Sequence, residues 1–289
     1  DPYQPDGIVD CKTLLEVVTT PSTPCDHEYK LSGLQKLTHG MRSSELTTIT
    51  AGTGQGKSTF CRQLAVDLLN DGVKVGYIAL EESNRRTALG LMSVATGQAL
   101  HIGEHGTETL KDAYDRSLAN WNLYLYDHFG SLDPDVIYSR CEYMALGLET
   151  KVIFLDHLSI LLSGLDGVQD ERRCIDKTMT NLRSLVQRTG ISLFLVSHLR
   201  RSGNGSTSAE EGGRVSLSGL RGSHSISQIS DNVWGLEANQ QKEGDRATVL
   251  RVLKNRYTGD VGVASNLTYN KDSCVFEEET ESFNPSTDF

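Results

Sequence analysis

A β-branched run, LTTIT at 46–50, leads directly into AGTGQGKST at 51–59, and a helix-like stretch follows. Glycines at 52, 54 and 56 let the backbone turn tightly, so that successive N–H groups converge where a phosphate would sit. The strict form of this phosphate loop opens on glycine where the chain has Ala51, but Gly56-Lys57-Ser58 is intact. Gly52, Thr53, Gly54, Gln55 and Gly56 are read as the cradle, with Lys57 on the β- and γ-oxygens and the Ser58 hydroxyl on Mg²⁺. Thr59 continues into the helix. Such a loop needs a strand before it and a helix after it, which already points to an α/β sheet.

The rest of the chain keeps that rhythm. Short β-rich runs at Leu46–Ala51, Lys74–Leu80, Leu123–Tyr126, Lys151–Asp156 and Ile191–Ser197 alternate with helical patterns. These are Lys57–Leu69, Arg86–Thr96, Pro134–Leu146 and Glu171–Arg188. Alternation of this kind predicts a mostly parallel sheet flanked by helices. KVIFLD is apolar on both faces until its last residue, as a central strand should be. After Asn232 the pattern changes. VWGLEA, TVLRVLKNRY and VASNLTYN, separated by turn residues, predict adjoining antiparallel strands on the C-terminal side.

Several of these runs end on a residue with chemistry. Asp156 closes KVIFLD and suits the metal side of a phosphate site. GYIALEES carries Glu81 and Glu82. Adjacent residues on a strand point to opposite faces, so at most one can activate the attacking water, and Glu81 is the first beyond the apolar run. SLFLVSH ends on His198, placed to touch a γ-phosphate. In KNRYTGD, Lys254 and Arg256 stand two apart, on one strand face, and paired cations suit a triphosphate.

Composition sets outer limits. With 28 Lys and Arg against 38 Asp and Glu, the net charge is −10, which excludes a protein that coats nucleic acid by bulk charge. No stretch approaches the ~20 apolar residues of a membrane span. The six cysteines form no C-x-x-C pair and read as small buried residues of a reducing compartment, here the cytoplasm. Residues 1–30 hold four prolines around the short helical run CKTLLEVVTT, and residues 277–289 hold five acids with no Lys or Arg. The expected division is therefore an N-terminal arm over 1–30, a nucleotide-binding domain over 31–276 and a solvated acidic tail over 277–289.

AGTGQGKST, LEES, FLDHLS, LVSHLR, LRGSHSISQISDNV, LEANQQ and KNRYTGDVG occur in an order and spacing that resemble the helicase domain of bacteriophage primase-helicases. The chain is similar, more distantly, to mitochondrial Twinkle and bacterial DnaB. The resemblance covers roughly residues 30–275. It implies a RecA-like core and an NTP-driven ring, hexameric or heptameric, that moves 5′ to 3′ on single-stranded DNA and unwinds duplex at the replication fork. It also implies Mg²⁺ with ATP or dTTP as substrate.

Carried over by position, the resemblance makes Lys57 and Ser58 the phosphate and metal ligands, Glu81 the base, Asp156 the metal-side acid and His198 the γ-phosphate sensor. Arg256 would be an arginine finger acting on a neighbouring copy, with Lys254 beside it and Gln228 near the nucleotide. Tyr269 falls where a family tyrosine stacks on the nucleobase; its usual arginine partner is Ala238 here. The loop after His198, with Arg200, Arg201 and Arg214, matches the DNA-binding loop. The 1–30 arm matches a segment that packs on the next subunit, downstream of a primase domain. The acidic tail, ending on Phe289, matches one that contacts the replicative DNA polymerase. Two other readings of the same core are a RecA-like recombinase or clock-type ATPase, for which KNRYTGDVG has no purpose, and a nucleotide-gated scaffold, which would not need Glu81.

Overall fold

The computed structural model describes residues 11, 14–20, 25–128, 130, 133–158, 168–199, 213–220, 224–238 and 247–279. Two short helices, α1 (Leu14–Thr19) and α2 (Ser32–Thr38), precede β1 (Leu46–Ala51). Helices and strands then alternate: α3 (Lys57–Asn70), β2 (Val75–Ala79), α4 (Asn84–Thr96), α5 (Thr107–Asp115), β3 (Leu123–Leu125), α6 (Pro134–Leu146), β4 (Val152–Asp156), α7 (Val168–Thr189) and β5 (Ser192–His198). The final part is α8 (His224–Ile229), β6 (Asn232–Ala238), β7 (Ala247–Asn255), β8 (Gly262–Asn270) and β9 (Val275–Glu278).

Local chemistry sets the helix ends. Ser83 accepts the Arg86 N–H at the start of α4, and Gly97 closes that helix in the left-handed region, which glycine enters without a Cβ penalty. At α6, Asp133 accepts the Asp135 N–H and Pro134 takes the first turn, where no N–H is missed.

The nine strands among the described residues form one sheet in the order β3-β2-β4-β5-β1-β6-β7-β8-β9. From β3 to β6 every pairing is parallel; from β6 to β9 every pairing is antiparallel. The antiparallel strands expected on the C-terminal side are present. VWGLEA, as β6, does pair antiparallel with β7, but its other edge runs parallel to β1, with Thr47 opposite Asn232 and Ala51 opposite Leu236. A strand buried on both edges cannot announce its direction by composition.

The two faces of the sheet hold separate cores. On one side Phe60, Leu64 and Leu68 of α3 meet Tyr77, Phe154, Phe194 and Trp234. On the other, Ile137, Met144, Met179 and Leu182 meet Ile78, Ile153 and Leu193. Register places Tyr77, Phe154 and Phe194 side by side, and their rings stack at 5.5 and 4.8 Å. Aromatic stacking adds about 1 kcal/mol per pair beyond area burial, so this ladder stiffens β2, β4 and β5, the strands whose ends carry the site.

The antiparallel extension curls. At about 4.8 Å between strands, a flat sheet would put β9 about 19 Å from β1. Instead the Phe276 ring of β9 packs on Phe60 and stands 2.8 Å from where a Cβ on Gly56 would be. Gln63 of α3 clasps the Phe276 backbone through two hydrogen bonds, at 2.7 and 2.9 Å.

The acidic tail also begins later than expected. β9 runs to Glu278, and the Glu278 carboxylate accepts hydrogen bonds from the Ser32 N–H, the Ser32 hydroxyl and the Gly33 N–H at 2.7–3.0 Å. The Glu279 N–H donates to the Asn266 carbonyl. Glu277, Glu278 and Glu279 therefore belong to the folded body. Among the described residues no helix is long and apolar enough to cross a membrane.

Candidate nucleotide site

Because β2, β4, β5 and β1 are parallel, their C-terminal ends share one edge, where open α/β sheets bind ligands. That edge collects the phosphate loop after β1, Glu81 and Glu82 after β2, Asp156 at the end of β4 and His198 at the end of β5. Ala51 is the last extended residue of β1 and is fully buried, so glycine is not needed there. The positive φ values fall on Gly54 (70°) and Gly56 (84°), where the turn requires them.

Gly56 is the N-cap of the fourteen-residue helix α3, which has no acid in its first turn. The N–H groups of a helix's first turn and the positive end of its dipole suit such a position to an anion. Lys57 is buried and folds back, donating from Nζ to the Ala51 and Gly52 carbonyls at 3.1 and 2.8 Å. Gln55 braces the loop: its Oε1 accepts the Gly52 N–H at 2.9 Å, and its Nε2 donates to the Ala238 carbonyl at 2.6 Å.

Asp156 is only 7% exposed and accepts the Ser58 hydroxyl. Burial pushes its carboxyl up from the usual range, against the pull of the Ser58 hydrogen bond and of His157, with Glu82 pushing the same way as burial. A serine hydroxyl and a carboxylate side by side are hard oxygen donors, the kind Mg²⁺ takes, so the pair fits that ion.

The adjacent glutamates do point apart, although they lie in a bend beyond the end of β2 at Ala79 and not on the strand itself. Glu82 turns inward, where Arg62 grips it at 2.5 and 2.6 Å and the Thr87 hydroxyl donates to it at 2.8 Å. Glu81 turns outward with 59% of its side chain exposed, and its Oε1 lies 2.6 Å from His157 Nε2. The His157 ring in turn meets the His198 ring edge-on, with centroids 4.1 Å apart. Ligand atoms of Glu81, His157 and His198 all lie within 4.8 Å of one another, a spacing a cation could also bridge. His157 was not among the expected site residues; its only sequence signal is a histidine directly after the strand-ending aspartate.

Tyr269 stands opposite Phe276 in the β8–β9 register, with rings 5.3 Å apart, and so lies beside the Phe276 ring that covers Gly56. Arg214 is exposed, next to Val215, whose N–H donates to Glu237 at the C-terminal end of β6. Arg200, Arg201 and Phe289 lie outside the described residues, as does most of the tail.

The remaining expected residues are elsewhere. Lys254 donates to the Ser227 and Gln228 carbonyls at 2.7 and 3.0 Å, and Arg256 donates to the Gln228 carbonyl at 3.0 Å and to Asp231 at 2.9 Å. Burial, and then Arg256 beside it, depress the Lys254 ammonium from its ordinary range. Asp231 also accepts the Leu46 N–H, at the start of β1. Gln228, Lys254 and Arg256 therefore gather at the opposite end of β1 from the phosphate loop, about 17 Å away along the six-residue strand.

A family model, the DnaB-like helicase C-terminal domain, matches residues 28–278. The DNA helicase/primase of Enterobacteria phage T3 is 34% identical over 96% of this chain and 50% of its own length. The replicative DNA helicase DnaB of Helicobacter pylori is 26% identical over 69% of this chain and 41% of its own. The chain thus spans about half the length, or less, of the curated relatives it matches. Among solved structures, the ATPase domain of G40P superposes with a TM-score of 0.72 at 17% identity, covering 93% of this chain and 96% of that one. A DnaB-like replicative helicase, solved for its interactions with primase, superposes with a TM-score of 0.73 at 18% identity over 92% of this chain and 66% of that one.

Proposed function

Because the chain belongs to the DnaB-like helicase C-terminal domain family, we propose that it is the motor of a phage replicative helicase, hydrolysing NTP to move along single-stranded DNA. The observation that carries this reading is the split of the candidate residues between two ends of the sheet. Lys57, Ser58, Glu81, Asp156 and His198 gather at one end, while Lys254 and Arg256 lie at the other. A complete site then needs two copies, as a ring supplies.

In this reading the loop N–H groups and Lys57 bind the β- and γ-phosphates, which requires Lys57 to leave the Ala51 and Gly52 carbonyls. Ser58 and Asp156 hold Mg²⁺, which when bound neutralises charge between the phosphates. Glu81 accepts the proton of the attacking water, since its carboxylate is the exposed one of the adjacent pair. His198 contacts the γ-phosphate. Arg256 of a neighbouring copy stabilises the charge that develops, with Lys254 beside it and Gln228 lending its carbonyl to both cations. Tyr269 stacks on the nucleobase.

The ring has six or seven copies and moves 5′ to 3′. Arg200, Arg201 and Arg214 meet DNA phosphates, and repetition around the ring multiplies these few contacts. The substrate is ATP or dTTP. A primase domain or protein supplies the primers, and Phe289 at the end of the acidic tail reaches a replicative polymerase, all in the host cytoplasm.

Strand displacement on a forked DNA, run with ATP and dTTP in turn, tests the reading. Unwinding that depends on NTP and vanishes in Lys57→Ala supports it. Hydrolysis without strand separation in either NTP would return the chain to the recombinase or clock-type class.

A further inference from the structure

His157 lies between two residues with proposed roles, and no role has yet been given to it. β4 is the strand between β2 and β5, so the residue that follows Asp156 is set between Glu81 and His198. Its side chain is 5% exposed, whereas that of Glu81 is 59% exposed. Among the described residues, the Glu81 carboxylate has one polar partner, His157 Nε2 at 2.6 Å. An exposed glutamate with no anchor samples many rotamers, and a base that must reach one water loses rate when it wanders by an ångström. A buried imidazole, oriented by the ring packed against it, removes that freedom.

We propose that His157 is a positioning residue: the close contact of its Nε2, 2.6 Å from Oε1, holds the Glu81 carboxylate in place, and its contact with the His198 ring ties that placement to the γ-phosphate end of the site. The inference rests on the reading of Glu81 as the base. The tie to His198 is direct, with ring centroids 4.1 Å apart at 90°. A shift of the His198 ring on meeting phosphate displaces the His157 ring, and the carboxylate moves with it. The water is then activated only when the γ-phosphate is in contact.

The test compares three substitutions in the full 289-residue chain, with DNA-stimulated hydrolysis of ATP and dTTP as the readout. His157→Phe keeps the ring volume and loses the nitrogen that meets Glu81. His157→Gln keeps an N–H near the position of Nε2. His157→Asn keeps the amide but falls short of Glu81. The expected result is a drop in kcat of about tenfold or more for Phe and Asn with KM unchanged, and recovery of most of the rate in Gln. If packing were the whole role, Phe would outperform Gln; that order overturns the proposal. Should Phe fail to fold, Gln against Asn decides alone, equal rates counting against it.

Glu81→Gln, assayed in parallel, separates the two levels. Full hydrolysis in that variant removes Glu81 as base and the inference with it. Lost hydrolysis there together with normal kcat in His157→Phe removes the inference only.

Discussion

Arg256 donates from Nη1 to Asp231 Oδ1 at 2.9 Å, and the same aspartate accepts the Leu46 N–H at the start of the strand that ends in the phosphate loop. The guanidinium thus has a fixed address at the far end of β1, with 49% of its side chain exposed. Arg256→Ala is expected to keep nucleotide affinity and to lose DNA-stimulated hydrolysis by about a thousandfold, the usual worth of an arginine finger. Mixed with Glu81→Gln, it should regain a small activity, because one hybrid interface in such a ring carries both intact halves. A mixture no more active than either parent would place the arginine outside the reaction.

Asp231 itself is buried and also pairs with Arg183. Asp231→Ala strands two guanidinium groups and a strand N–H together. Removing one member of such a buried network costs about 3 kcal/mol or more, so the urea midpoint should fall clearly. A midpoint unchanged within error would mean that the arginines find water instead.

α2 is set against β8 so closely that a Cβ added at Gly33 would lie 1.8 Å from the Ala264 carbonyl oxygen. Backbone cannot step aside as a flexible side chain does. Gly33→Ala should therefore destabilise the fold by roughly 2–3 kcal/mol, read as a lower thermal midpoint with the catalytic end of the sheet intact.

The Glu278 carboxylate is pushed up by partial burial, but hydrogen bonds from Ser265, Gly33 and Ser32 outweigh this and hold it below its ordinary range. A depressed carboxylate stabilises above its unfolded pKa, near 4.3, and that contribution is lost as pH falls through the folded value. Glu278→Gln should lower the thermal midpoint at pH 7 and converge on the parent as pH drops below about 4. Equal separation of the two curves at pH 7 and pH 3 would show that ionisation is not the source.

The catalytic end of the sheet is legible in sequence because each of its residues closes a parallel strand or follows one within a few residues, and parallel strands close at the same edge. Finding the strands located Lys57, Asp156 and His198 together. Strand alternation is the wrong reason for telling Glu81 from Glu82, since both lie in the bend after β2, where Arg62 and Thr87 draw Glu82 inward. His157 stayed hidden, because a histidine after an aspartate looks like any polar strand end until the neighbouring strands put Glu81 and His198 on either side of it. Glu277 to Glu279 read as tail because three acids in a row usually are one. The groups that hold Glu278, the Ser32 and Gly33 N–H, lie some 245 positions away. Likewise Phe276 gave no sign that a curled sheet would carry it onto Gly56.

The placement of Lys57 and Arg256 at opposite ends of β1 also gives the chain a direction. Two copies related by a two-fold axis would set loop against loop and arginine against arginine, leaving both kinds of end unmatched. Only head-to-tail contact brings one kind to the other, and such contact never satisfies the last copy in a row. If Arg256 completes a neighbour's site as proposed, the series closes on itself or runs on as a helix, and a symmetric dimer joins no complete site.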